Sequence, residues 1–212
     1  MLRAKLFVDG FNLYYPIHEH TQKTGENYLK WLDLQALGSR IASARGERLV
    51  GTTYCTAYKK GDSAAKSRHR LYNAALRHTS VEILFGHYIR EPDRTCDSCG
   101  GTTEKYSEKQ TDINVALALV RDAYAGEYDV AYLLSADSDQ AATAEHFKLQ
   151  FPDLKIISVV PPNRDHSERV MAHAHGKFTA TIELIKASRF PSIILRKGEN
   201  PIRCPAEYDT PR

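Results

Sequence analysis

A chain of 212 residues, 42% hydrophobic and 26% charged, is large enough to bury one ordinary core without disulfide or metal staples, and its composition suggests neither disorder nor repeats. Its formal net charge of +3 is too mild to announce a polyanion binder by itself. Met1 runs straight into Leu6-Phe7-Val8 and an Asp with no secretory signal pattern, and the longest apolar helical run, 115–120, falls far short of the roughly 18 residues that cross a bilayer. The expectation is a soluble, cytoplasmic protein with no membrane partner.

Short runs rich in β-branched and aromatic residues predict strands at 5–8, 49–57, 81–89, 129–134 and 154–160. Helical patterns predict helices at 32–44, 64–78, 112–124 and 140–151, the third apolar nearly all round. Strand alternating with helix predicts an α/β fold with a mainly parallel sheet covered on both faces. Right-handed crossovers then put every strand's carboxyl end along one edge. Beyond 160, Pro161-Pro162-Asn163-Arg164 reads as a turn, 167–174 as a short helix and 178–185 as a helix or an edge strand. A small strand at 192–195 precedes an extended tail marked by Pro201, Pro205 and Pro211.

Three acidic segments fall where strand or loop gives way to helix: Phe7-Val8-Asp9-Gly10-Phe11-Asn12, Lys109-Gln110-Thr111-Asp112 and Ser135-Ala136-Asp137-Ser138-Asp139. In an open sheet the ligand crevice lies outside the carboxyl ends of the strands, so carboxylates far apart in sequence can meet there. Oxygen donors of this kind suit a hard divalent cation, which commonly shares its coordination with substrate phosphate. Taken singly, each Asp reads equally well as a helix N-cap or a first-turn residue, and Asn12 as a turn residue. Between 58 and 78 the chain carries Lys59, Lys60, Lys66, Arg68, Arg70 and Arg77 against only Asp62, a stripe that fits either backbone phosphates or a solvated helix face.

Cys96-Asp97-Ser98-Cys99 is half of a zinc knuckle with no second Cys-x-x-Cys, so Cys96 and Cys99 read as part of a structural Zn²⁺ site or as a reduced pair in a long loop at 90–107. The chain lacks Gly-x-Gly-x-x-Gly after its first strand and any P-loop, which removes the usual phosphate cradles of dinucleotide and nucleotide triphosphate enzymes. Phe11 stands where a haloacid-dehalogenase-like phosphatase needs a second Asp. His166, His173 and His175 read as surface or core histidines without catalytic duty.

The segments Phe7-Val8-Asp9-Gly10-Phe11-Asn12-Leu13-Tyr14, Glu108-Lys109-Gln110-Thr111-Asp112 and Ser135-Ala136-Asp137-Ser138-Asp139 resemble the motifs of NYN-domain proteins, the LabA-like branch of the PIN-like nuclease superfamily. The ending, with Phe190-Pro191, Lys197-Gly198 and Pro205, resembles the tail of that family. The resemblance implies a Rossmannoid three-layer α/β/α fold, with a nuclease domain over 1–188, a Cys-x-x-Cys loop insertion near 90–107 and a tail over 189–212 packed on the domain. It also implies a metal-dependent ribonuclease using Mg²⁺ or Mn²⁺. Asp9, Asp112, Asp137 and Asp139 match the family's acidic residues and Asn12 its polar residue. Asp9 and Asp137 are then direct ligands, Asp112 and Asp139 serve a second ion or its waters, and Ser135 and Ser138 orient the carboxylates.

Single-stranded or structured RNA is the expected partner. Tyr14, Lys59, Lys60, Arg68, Arg70, Lys109 and Arg164 are its candidate contacts, and Tyr15 sits beside Tyr14 as a second ring able to stack on bases. Packing between helices is the plain alternative for both rings. A homodimer would double the basic surface. The rival reading is a non-catalytic or weakly catalytic RNA-binding module on the same fold, although clustered negative charge near phosphates gains nothing for a pure binder.

Overall fold

The computed structural model describes residues 1–58, 62–92, 94–95, 100–103 and 106–209. In chain order its elements are β1 (Arg3–Asp9), α1 (Gly10–Thr24), α2 (Leu34–Ala44), β2 (Arg48–Thr56), α3 (Ser63–His78), β3 (Glu82–Phe85), β4 (His87–Arg90), β5 (Arg94–Thr95), β6 (Thr102–Thr103) and β7 (Tyr106–Lys109). There follow α4 (Thr111–Tyr124), β8 (Val130–Leu134), α5 (Gln140–Gln150), β9 (Lys155–Val160), α6 (Glu168–Met171), β10 (Gly176–Thr179), α7 (Ile182–Ala187), β11 (Ile193–Ile194) and β12 (Ile202–Arg203).

Six strands form one sheet in the order β10-β9-β8-β1-β2-β3, every pair parallel. The chain steps outward from β1 to β3, returns at β8 on the other side of β1, and steps outward again to β10. The order therefore reverses between β1 and β8, and a crevice opens outside the carboxyl ends of strands that diverge this way. β1 is buried from Ala4 to Asp9 because it pairs on both sides and is covered on both faces. Leu6 and Val8 face one layer, with Trp31, Leu37, Ile41 and Leu76; Phe7 faces the other, with Val115, Leu119, Tyr128 and Phe147. The result is the three-layer α/β/α arrangement expected from the alternation of elements.

Three expectations need correction. The strand read at 81–89 is two strands, β3 in the main sheet and β4 in a separate antiparallel ribbon with β7. Gly86 divides them, in a spot where a Cβ would stand 2.4 Å from the Lys109 carbonyl oxygen. The stretch read as a long loop at 90–107 carries the strand pair β5 and β6 and the first half of β7. Helix α1 was not anticipated, because Pro16 sits inside it and removes one amide from the helical ladder. The run that read as either helix or edge strand holds both, β10 and then α7. Among the described residues no helix is long and apolar enough to cross a membrane.

Candidate active site

Asp9 ends β1 beside Cys55 of β2, while Val8 pairs with Leu134, the last residue of β8. Its carboxylate is the N-cap of α1: Oδ1 accepts from the backbone N–H of Phe11 and of Asn12, both at 3.1 Å. Oδ2 accepts from Asn12 Nδ2 at 2.9 Å and from Ser135 Oγ at 3.4 Å. Asn12 Oδ1 accepts from the Ala136 N–H at 3.3 Å, so one side chain ties the end of β1 to the end of β8. The Asp137 N–H donates to Ser135 Oγ at 3.1 Å, and Asp137 Oδ1 accepts from the Asp139 N–H at 2.9 Å.

Asp9 is only 4% exposed. Burial pushes its carboxyl above the usual carboxylate range and the Asp137 charge adds to the push, while hydrogen bonds from Asn12 and Phe11 pull the other way. A cation in the crevice would offset both unfavourable effects.

The crevice is a cleft of about 440 Å³ whose walls include Asp9, Asn12, Glu108, Lys109, Asp112 and Asp137. Asp112 stands in the first turn of α4, where the helix dipole favours a carboxylate, and its carbonyl accepts from Gln140 Nε2 at 3.3 Å. Glu108 caps the same helix by accepting from the Thr111 N–H at 2.9 Å and from the Thr111 hydroxyl. Gln110 holds φ at +78°, a left-handed conformation that a residue with a Cβ adopts against strain, and such strain concentrates at functional sites.

The structure thus brings Asp9, Asn12, Lys109, Asp112 and Asp137 around one cleft. Asp139 is exposed and outside the cleft wall; its contribution is the backbone N–H on Asp137. Ser135 reaches the Asp9 carboxylate, whereas the bond from Ser138 is its backbone carbonyl to Ala141. Tyr14 and Arg68 line a neighbouring cavity. Arg70 sits over the Tyr58 ring at 6.0 Å, and Arg164 makes two 2.8 Å bonds to Glu19. His175 Nδ1 accepts from the Ile156 N–H and His166 bonds Ser158, both pairings at the β9 side. Lys59, Lys60, Cys96 and Cys99 lie outside the described residues. Glu108 and Gln110 were missed as wall residues, although both stand in the segment Glu108-Lys109-Gln110-Thr111-Asp112.

The donors suit Mg²⁺ or Mn²⁺, since carboxylate and amide oxygens are hard ligands. Among the described residues no group of three or more His, Cys, Asp or Glu side chains is arranged to hold a metal ion. The carboxylates share the cleft without converging on one point.

A three-layer α/β/α fold with a buried carboxylate at the point where strand order reverses defines a Rossmann-like protein with its site at the carboxyl edge of the sheet. The family model described as the NYN domain matches residues 3–183, and the chain belongs to that family. A crystal structure of a Vibrio parahaemolyticus protein of unknown function shares the fold, with a TM-score of 0.57 and 18% identity over 86% of this chain and 94% of that one. The 6-hydroxy-3-succinoylpyridine 3-monooxygenase HspA of Pseudomonas putida is 27% identical over 83% of this chain, which spans 66% of that protein's length.

Proposed function

We propose that the chain is a metal-dependent ribonuclease that hydrolyses phosphodiester bonds in the cleft between the ends of β1 and β8. The observation that carries the reading is the gathering of Asp9, Asn12, Asp112 and Asp137 around one cleft at the reversal of strand order in an NYN-family chain. Asp9 and Asp137 would hold one divalent ion and Asp112 a second ion or its waters. When bound, the metal supplies charge to the phosphate and lowers the pKa of a coordinated water.

The protein's own share is to hold these groups still. The bonds among Asp9, Asn12, Ser135 and Asp137 fix one wall, and α4 fixes Asp112 opposite. Lys109 supplies a positive charge for a nonbridging phosphate oxygen. In the reaction a water oxygen bonds to phosphorus and gives up a proton, and the ester oxygen leaves with the electron pair of the broken P–O bond and takes up a proton in turn. Asp139 acts through its backbone as a positioning residue. The test is cleavage of labelled single-stranded RNA in Mn²⁺ or Mg²⁺ by wild type and Asp112→Asn, with RNA binding measured in parallel. Cleavage lost in Asp112→Asn while binding persists supports the reading; equal cleavage by both overturns it.

The monooxygenase name of the Pseudomonas relative gives a second reading, and one observation favours it: a cavity walled by aromatic rings adjoins the cleft. Incubation with 6-hydroxy-3-succinoylpyridine, dioxygen and an electron donor tests it. A ring-oxygenated product supports this second reading, and unchanged substrate removes it.

A further inference from the structure

Beside the acidic cleft lies a cavity of about 300 Å³ walled by Phe11, Tyr14, Tyr15, Tyr54 and Tyr88. This volume is at the lower end of small-ligand pockets, enough for one planar ring system. Phe11 is a wall of both spaces, and its ring stacks with Tyr15 at 6.2 Å and meets Tyr88 in a T-shaped contact at 6.1 Å. Tyr14 is 40% exposed and Tyr15 50%, so two of the lining rings stand open to solvent. Lys30, Lys66 and Arg68 also line the cavity. Lys30 Nζ bonds the Asn27 side-chain oxygen rather than a carboxylate, and burial together with the Arg68 charge holds its ammonium below the usual lysine range. Arg68 bonds Glu207 Oε1 at 3.3 Å and Asp62 also lines the cavity, so an incoming phosphate would share these cations with acids already present. Deeper in, Thr56 Oγ1 lies 3.2 Å from Nε2 of His69, offering polar edges between the rings.

We infer that this cavity is a nucleobase subsite: a ribonucleotide with one phosphate in the acidic cleft places its base among Phe11, Tyr14 and Tyr54, and its next phosphate near Lys30 and Arg68. The placement of the first phosphate rests on the ribonuclease reading. Aromatic walls accept any base by stacking, and the Thr56 and His69 polar groups give a preference among bases.

The experiment measures binding of AMP, GMP, CMP and UMP to the full chain by calorimetry, with ribose 5-phosphate as the ring-free control. Two variants are compared with wild type: Ala65→Trp, which fills the cavity from α3 without touching the cleft, and Tyr14→Ala, which adds no bulk. At least one nucleotide is expected to bind tenfold or more tighter than ribose 5-phosphate, and both variants to erase that advantage. Ribose 5-phosphate binding as tightly as the nucleotides, no nucleotide binding at millimolar concentration, or wild-type binding by both folded variants overturns the subsite. The two readings fail separately. Asp137-dependent RNA cleavage without ring-dependent binding removes the subsite alone. Ring-dependent binding sensitive to Ala65→Trp without any RNA cleavage leaves the subsite and removes the ribonuclease.

Discussion

Asp9 has two duties that substitution separates, since its carboxylate both faces the cleft and caps α1. Asp9→Ala removes the acceptor for two backbone N–H groups, the Asn12 amide and the Ser135 hydroxyl. Loss of an N-cap costs about 0.5–2 kcal/mol. Leaving buried donors unsatisfied adds about 1–3 kcal/mol. Relief from burying a carboxylate offsets part of this, leaving a net loss of about 2 kcal/mol. At roughly 2–4 °C per kcal/mol for a chain of this size, Tm falls by about 4–8 °C. Asp9→Asn keeps one oxygen for the helix cap but turns an amide toward Asn12, and its expected cost is below about 1 kcal/mol. Calorimetry and urea midpoints read the stability order, wild type above Asn above Ala, and both variants lose RNA cleavage. An Asp9→Ala protein as stable as wild type would refute the capping role, because carboxylate burial would then outweigh the helix bonds.

Burial lowers the His69 pKa from 6.5 to about 4, so in that window the unfolded chain binds a proton that the folded one refuses. Its stability contribution is complete above pH 6.5 and is lost as pH falls toward 4, a difference of about 3 kcal/mol at 1.36 kcal/mol per pKa unit. Denaturant unfolding at pH 7, 5.5 and 4 should show His69→Gln losing less stability with acid than wild type; equal slopes contradict this. Gly86→Ala forces the Lys109 carbonyl away and moves the Glu108–Thr111 wall, at a cost of about 1–3 kcal/mol with reduced cleavage, and unchanged values for both would show that the ribbon yields freely. Lys5 Nζ lies 2.7 Å from Asp122 and 2.6 Å from Glu127; Lys5→Met costs about 2 kcal/mol, since the buried Asp122 loses one cation but keeps its 2.6 Å pair with Arg121 Nε, and cleavage per folded molecule is retained. Asp139→Asn should lower cleavage far less than Asp137→Asn, since only the Asp139 backbone reaches the cleft wall, and equal losses would assign its side chain a direct part.

The sheet and most of the cleft were legible because alternation of strand and helix aligns carboxyl ends, and Asp9 and Asp137 each follow such an end, while Asp112 stands in the first turn of a helix beside them. Asp139 was overread, as motif proximity to Asp137 does not fix which way a turn residue points. Helix α1 had its cap in Asp9 and a buried stripe of Leu13, Pro16, Ile17 and Thr21 at helical spacing, but the proline and the polar remainder masked it. Nothing local announces the kink at Gly86, which exists because a ribbon from elsewhere in the chain passes close by. The aromatic cavity was equally out of reach, since its rings come from segments joined only by the fold, with Tyr14 on α1, Tyr54 on β2 and Tyr88 on β4.

The most direct measurement incubates purified protein with labelled single-stranded RNA and DNA in Mn²⁺, Mg²⁺ or chelator, beside Asp137→Asn. Asn retains an acceptor for the Asp139 N–H, so the variant should keep its fold, within about 1 kcal/mol of wild type. Metal-dependent RNA cleavage that drops by about 100-fold or more in Asp137→Asn is the predicted result. Intact RNA with wild type in every metal, or equal cleavage by the two proteins, contradicts the ribonuclease account and moves the binding module ahead.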